Sequence, residues 1–283
     1  MDKIFEVFSN REIALIIWIV LVLALCTFNK QVRNSLYALI KLFFTTPVLL
    51  IVNLLALDYT LFVIYLLQRT QFWDESLIKD TVFWTLGTGF VLIFNSINTR
   101  SLSHFKKVLL DVAKWSIILE FIANFYTFSF LSEIILLPVL VFTGLIQAHS
   151  ELSSESKKVK SFFKTINVFI GLSILSYITY KTFNQSEALL TIANLKSFLL
   201  PLLLTIMYLP FIYCLALYTQ YESLFIRLPC LINDVKYRKS VKKQILLVAN
   251  FDIDKLVKIS GGIAKLILVD ESRSIEDIRK ISK

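Results

Sequence analysis

RLPCLINDVKYRKSVKK, residues 227–243, is the first long polar and basic segment after a series of apolar runs that begins near Ile13. In a chain that crosses a membrane, such a segment marks the side on which the C-terminus lies, because Lys and Arg are retained on the cytoplasmic face. Its reading therefore sets the topology and the place where a soluble partner can bind. Everything upstream reads as membrane-spanning, and everything downstream as a small cytoplasmic appendage.

The composition agrees. Of 283 residues, 56% are hydrophobic and only 18% charged, and the mean hydropathy is +0.69. That is far too apolar for a soluble domain of this length. The 24 Phe and 11 Tyr suit lipid-facing surface and interfacial aromatic belts. No cleavable leader is expected: the run 13–28 follows a mixed-charge segment (Lys3, Glu6, Arg11, Glu12) and precedes no small-residue cleavage site. Cys26, Cys214 and Cys230 are too scattered for a disulfide framework or a metal site.

A span needs about 20 mostly apolar residues, with a lower limit near 17. Seven stretches are candidates: 13–28, 47–67, 82–97, 115–131, 134–148, 166–183 and 197–219. The fourth and fifth are short and share a tight tip at Ser132-Glu133, so a re-entrant hairpin is the alternative there. Basic residues alternate between the connections. Lys3 and Arg11, then Arg69 and Lys79, then Lys181 and Lys196 make the poor segments; the 131–134 tip has none. Lys30, Arg33 and Lys41, then Arg100, Lys106, Lys107 and Lys114, then Lys157, Lys158, Lys160 and Lys164 make the rich ones, and the tail is richest. The N-terminus is thus expected outside and the C-terminus in the cytoplasm. Removing two crossings together leaves the tail inside.

Two rich connections read as basic amphipathic helices. Residues 101–115 place Leu102, Phe105, Val108, Leu109 and Val112 opposite His104, Lys106, Lys107, Asp111 and Lys114, and residues 30–44 repeat the pattern more weakly. Such helices lie in the interface on anionic lipid, or extend the following spans. In the tail, the last helix is expected to stop near Pro229, and 252–265 to be helical with a break at Gly261-Gly262. Residues 274–277 have the form of a capping box. The expected domains are 1–220 in the membrane and 221–283 as the basic tail, together an all-α polytopic bundle.

Charges inside spans cost about 2.5–3.5 kcal/mol each at the helix centre, so they mark candidate functional sites. Asp58 falls at the middle of the second span, past Asn53; Glu120 lies in the fourth, with Asn124 one turn on. Counted from their span starts they differ in depth by about 9 Å, so they do not form one acid/base pair. Asn53, Asp58, Asn95, Glu120 and Asn124 are the candidate lining of a polar path. Gly87 and Gly89 are expected to let the third span approach a neighbour. Pro201 and Pro210 in the last span, with Pro229 below it, are candidate hinge points.

Catalysis is not expected. The two histidines, His104 and His149, lie in no metal-binding pattern, and no nucleophile elbow or phosphate loop occurs. No metal or cofactor is implied. The densest charge is the cluster Lys236, Arg238, Lys239, Lys242 and Lys243, with Tyr237 among them. On a helix, Lys236, Lys239 and Lys243 share a face suited to phosphates. Three readings compete: an anchor on anionic lipid, a nucleotide or oligonucleotide site, and a protein or oligomer interface.

The layout over the whole chain resembles that of multi-pass transmembrane effectors of bacterial anti-phage systems: a polar-lined helical bundle in the inner membrane, ending in a short basic module that senses a cytosolic signal. The resemblance implies an oligomeric ion channel gated through its tail and acting by depolarisation. An acidic lining would favour cations. The rivals are a secondary transporter using Asp58 or Glu120, which the absence of internal repeats disfavours, and a non-conducting scaffold or sensor. The topology has a direct test: reporters fused after Lys164 and Lys283 read cytoplasmic, and one within 184–195 reads external. An external tail overturns this arrangement.

Overall fold

The computed structural model describes residues 8–97, 99, 101–112, 114, 122, 125–152, 157–184, 191–267 and 278. Every regular element among them is helical: α1 Asn10–Phe28, α2 Lys30–Thr45, α3 Pro47–Arg69, α4 Ile78–Trp84, α5 Phe90–Ile97, α6 Leu102–Val112, α7 Phe130–Leu152, α8 Lys157–Asn184, α9 Ile192–Leu231, α10 Val235–Ala249 and α11 Ile253–Ile267. Among the described residues, 6 helical stretches are long and apolar enough to cross a membrane: Asn10–Phe28, Pro47–Arg69, Glu75–Ile97, Phe130–Ser150, Ser161–Asn184 and Ile192–Leu231. They contain six of the seven expected spans. The other, 115–131, falls mostly outside the described residues, as do Glu120, Asn124 and the 274–277 capping box. By contacts the chain forms two compact units, Met1–Val52 with Trp115–Leu195, and Asn53–Lys114 with Lys196–Lys283.

In the first unit, Ser9 and Glu12 form a reciprocal capping box that starts α1. Just inside it, Arg11 grips Glu133 with two bonds, Nε to Oε2 at 3.2 Å and Nη2 to Oε1 at 3.1 Å. The Glu133 side chain is 1% exposed and also accepts the Phe128 N–H at 2.9 Å. Asn10 Nδ2 donates to the Phe128 carbonyl, and Trp18 Nε1 donates to the Ile134 carbonyl. These bonds staple α1 to the start of α7. The expected tip at Ser132-Glu133 is instead the first turn of α7, which begins at Phe130 after the non-helical residues Tyr126–Ser129. Glu133 is held there by the half-buried Arg11 cation. Helix α2 is a separate helix with no buried residue, capped by Asn29 and parted from α3 at the extended Thr46 before Pro47.

The second unit is organised around α9, whose residues Leu200, Leu204, Tyr208, Ile212 and Ala216 make a buried stripe at helical spacing. Helix α3 meets this stripe with Ala56, Thr60, Val63 and Leu67. Tyr59 Oη donates to the Met207 carbonyl at 2.8 Å, and Tyr208 Oη to the Ala56 carbonyl at 3.2 Å. Trp84 Nε1 donates to Thr205 Oγ1, which in turn donates to the Pro201 carbonyl. At one end of the unit, Lys196 Nζ reaches Asp74 Oδ2 at 2.8 Å, and that bond, with one from Ser76, holds the Asp74 carboxyl down to about 2. At the other end, Gln220 Nε2 donates to the Thr99 carbonyl, and the Leu102 N–H to Asp254 Oδ1.

Two local expectations are corrected and a third holds. The Gly87-Thr-Gly89 stretch does not admit a neighbouring span: Thr85–Gly89 is a π turn, a Cβ on Gly87 would meet nothing within 4 Å, and one on Gly89 would meet the indole of Trp84 at 3.3 Å. The wider turn and the missing Cβ make room for that ring. Helix α9 ends at Leu231, two residues past Pro229 and close to the expected stop, with Leu224 and Leu228 buried. Helix α11 passes through Gly261-Gly262, where a break was expected. Its residues Ile253, Leu256 and Ile259 are fully buried, which outweighs about 1 kcal/mol of helix propensity lost at each glycine.

Removing the Arg11 cation would leave Glu133 buried and unpaired, so Arg11→Gln lowers unfolding stability in detergent by about 3 kcal/mol or more. Arg11→Gln with Glu133→Gln recovers part of that loss. An unchanged midpoint for the single variant would show that the pair is not a strut.

Candidate functional site

Asp58 lies eleven residues into α3, and its neighbour Tyr59 bonds to Met207, near the middle of the apolar stretch of α9. The buried face of α3 runs through Ala56 and Thr60, so Asp58, two residues from each, points the opposite way. It is exposed, and it makes no hydrogen bond or ion pair among the described residues. Leu54, Leu55, Leu61, Phe62 and Tyr65 share its exposed side. A carboxylate thus stands alone on an apolar face at mid-span.

The other members of the expected lining are distributed differently. Asn53 is half-buried on α3, and Asn95 is exposed near the end of α5. The Asn95 carbonyl accepts the Thr99 hydroxyl, and the Thr99 carbonyl accepts from Gln220, so Asn95 lies toward the tail end of the unit. No hydrogen bond among the described residues joins Asn53, Asp58 and Asn95.

The basic cluster lies on α10. Asp234 starts this helix by accepting the N–H groups of Lys236 and Tyr237. Lys236, Lys239 and Lys243 are exposed on one face. Tyr237, Arg238 and Lys242 are half-buried, and Lys242 Nζ stands 4.9 Å from the centre of the Phe225 ring on α9, a cation–π contact. The opposite face, Val241, Ile245 and Ala249, is buried and packs with Ile253, Leu256 and Ile259 of α11.

The tail is bound to α9 by contacts that the sequence reading did not foresee. After Ala249 the chain reverses at Asn250, whose φ of 47° belongs to the left-handed side that Asn tolerates. Tyr221 Oη donates to the Asn250 carbonyl at 2.6 Å, and Tyr213 Oη donates to the Phe251 carbonyl. Phe105 of α6 packs edge-on against Tyr213 at 5.3 Å, and Arg227 Nη2 donates to Ser260 Oγ at 2.5 Å. Asp252 starts α11; the Lys255 N–H it accepts, and then the Lys255 ammonium, hold its carboxyl below the usual range. Tyrosines eight apart on the last span were the available signal. Only the tail's reversal gives them a role.

All three candidate prolines lie within α9, Pro201 half-buried, Pro210 and Pro229 exposed. The mid-span carboxylate, the proline-bearing helix and the basic tail therefore belong to one compact unit. No protein-family model, curated protein or solved structure matches the chain. The chemistry of the site is accordingly read from its own residues.

The tyrosine clamp is testable. Tyr221→Phe and Tyr213→Phe each remove one donor, at a cost of about 1 kcal/mol. Amide exchange over 250–256 rises in both, while α9 keeps its protection. Unchanged exchange in the double variant would show that the tail is held by packing alone.

Proposed function

We propose that copies of this chain assemble into a cation channel of the bacterial inner membrane, with Asp58 facing the conduction path and the C-terminal tail as the cytoplasmic gate and ligand site. The observation that carries this reading is the unpartnered Asp58, exposed at mid-span on a face otherwise made of Leu, Phe and Tyr. Against lipid, that carboxylate costs about 2.5–3.5 kcal/mol. Against a water-filled lumen shared by several copies, the cost vanishes and the negative charge favours cations. Asn53 on the same helix and Asn95 toward the tail end extend the polar lining.

The gate follows from the tail. Lys236, Lys239 and Lys243 present three ammonium groups at helical spacing on one open face, with Tyr237 and Arg238 beside them. This suits successive phosphates of an anionic cytosolic ligand such as a short oligonucleotide. The tail is tied to α9 through Tyr213, Tyr221 and Arg227, so a ligand that prefers one tail position biases the helix carrying Pro201 and Pro210. In a cell, opening would depolarise the membrane, as the resemblance to anti-phage effectors implies.

The test is flux from liposomes holding the purified full-length protein, with and without short oligonucleotides. The parent conducts K⁺ over Cl⁻. Asp58→Asn moves that selectivity toward unity while insertion stays intact. Lys236→Gln, Lys239→Gln and Lys243→Gln together abolish the oligonucleotide response, and the salt slope of binding falls by about 2. Normal selectivity in Asp58→Asn would remove Asp58 from the path. Absence of oligonucleotide binding at low salt would remove the ligand site.

A further inference from the structure

The turn between α10 and α11 carries a large apolar surface. Leu247 and Phe251 are each 72% exposed, and Leu246 is 48% exposed. They surround a reversal of chain direction at the end of a basic helix, where a soluble protein would place polar residues. Along the open face of α10, polarity changes in one direction: Lys236, Lys239, Lys243, then Leu247, then Phe251 at the turn. The gradient runs along the helix axis and not around it. Such a helix enters an interface by its end.

The position of the turn points the same way. Between Lys196 and Glu222, α9 carries no charge, and this stretch is about 37 Å long at 1.5 Å per residue. A hydrocarbon layer is about 30 Å thick, or about 20 residues of helix. Wherever the layer is laid on that stretch, Tyr213 falls inside it. The Tyr213 hydroxyl holds the Phe251 carbonyl, and Tyr221 holds the neighbouring Asn250 carbonyl. In water, carbonyls at a turn are hydrated and need no such donors. At membrane depth, irregular backbone persists only where protein groups satisfy it. The carbonyls on either side are also taken, that of Ala249 by the Asp252 N–H and that of Asp252 by the Leu256 N–H.

We infer that the α10–α11 turn is a wedge seated in the lipid leaflet in which α9 ends, with Leu247 and Phe251 among acyl chains and Lys243 at the anionic phosphates. Lys243 is four residues back from Leu247, about 6 Å along the helix, which is the step from the hydrocarbon edge into the headgroups. Lys239 and Lys236 extend further from the bilayer. The inference rests on the reading that α9 crosses the membrane and is independent of whether the assembly conducts. It divides the basic face between two anions: phospholipid for Lys243, and the proposed soluble ligand for Lys236 and Lys239.

The experiment uses the full chain with Cys26, Cys214 and Cys230 replaced by Ser, in vesicles of phosphatidylcholine and phosphatidylglycerol. A polarity-sensitive fluorophore is attached at Phe251→Cys, at Leu247→Cys or at Lys236→Cys. The first two keep the backbone carbonyls that the tyrosines bind. Labels at 251 and 247 emit as in an apolar medium, are quenched by nitroxides on lipid acyl chains, and are shielded from aqueous iodide. The label at 236 shows the reverse. Labels at 251 and 247 quenched by iodide as strongly as that at 236 would overturn the wedge. Shielding of both from iodide and nitroxide alike would overturn it in favour of a protein contact, such as a second copy. Flux from the same vesicles separates the two readings: conducting vesicles with a water-exposed label remove the wedge alone, and silent vesicles with a lipid-buried label remove the channel alone.

Discussion

Hydrocarbon offers no hydrogen-bond partner, and the described polar groups within the long apolar helices are placed accordingly. Hydroxyls within the apolar helices turn back on their own backbone: Thr60 to the Ala56 carbonyl, Thr143 to Val139, Thr179 to Leu175 and Thr205 to Pro201. The polar atoms of Tyr59, Tyr208 and Trp84 bridge helices: Tyr59 and Tyr208 between α3 and α9, and Trp84 from α4 to α9. Among the described residues, no buried side-chain nitrogen or oxygen lacks a partner. Glu133, the one buried carboxylate among them, has both a cation and a backbone N–H. Against this background the exposed Asp58 is an exception.

The same constraint explains the tolerated irregularities. Prolines at 201, 210 and 229 remove three backbone donors from α9, yet the helix continues through all of them. Within the uncharged stretch that holds Pro201 and Pro210, breaking the helix in a membrane would leave still more backbone unpaired than a kink does. The π turn at Thr85–Gly89 begins one residue after Trp84, whose indole reaches Thr205 and, through its hydroxyl, the Pro201 carbonyl. Two helices that depart from regular geometry thus meet at one buried polar chain.

The six long apolar helices were legible because their signal is local: length and hydropathy need no knowledge of packing. The open lysine face of α10 was legible for a similar reason, since residues 236, 239 and 243 recur at helical spacing. The staples were not. Arg11 lies 122 positions from Glu133, and Tyr213 lies 38 from Phe251, and nothing in either segment marks its partner. Gly261-Gly262 reads as a break because propensity is counted locally. The burial of Ile253, Leu256 and Ile259 that overrides it is tertiary.

Under the channel reading, magnitudes bear on how many tails must act together. Tyr59, beside Asp58, bonds to Met207, and Tyr213 holds the tail six residues further along α9, a separation of about 9 Å. A shift of the tail is therefore applied to α9 within two turns of its contact with the Asp58 helix. To invert a gate from 1:99 to 99:1, a ligand must favour one state by about 5.5 kcal/mol. The two open lysines left to the soluble ligand, Lys236 and Lys239, at about 1 kcal/mol each near an anionic surface, supply about 2 kcal/mol even if every contact is confined to one state. One tail thus falls short, whereas three acting on a concerted gate reach the required bias. The weak individual contacts and the solitary mid-span carboxylate lead to the same demand: copies whose Asp58 residues share one lumen and whose tails act on one equilibrium.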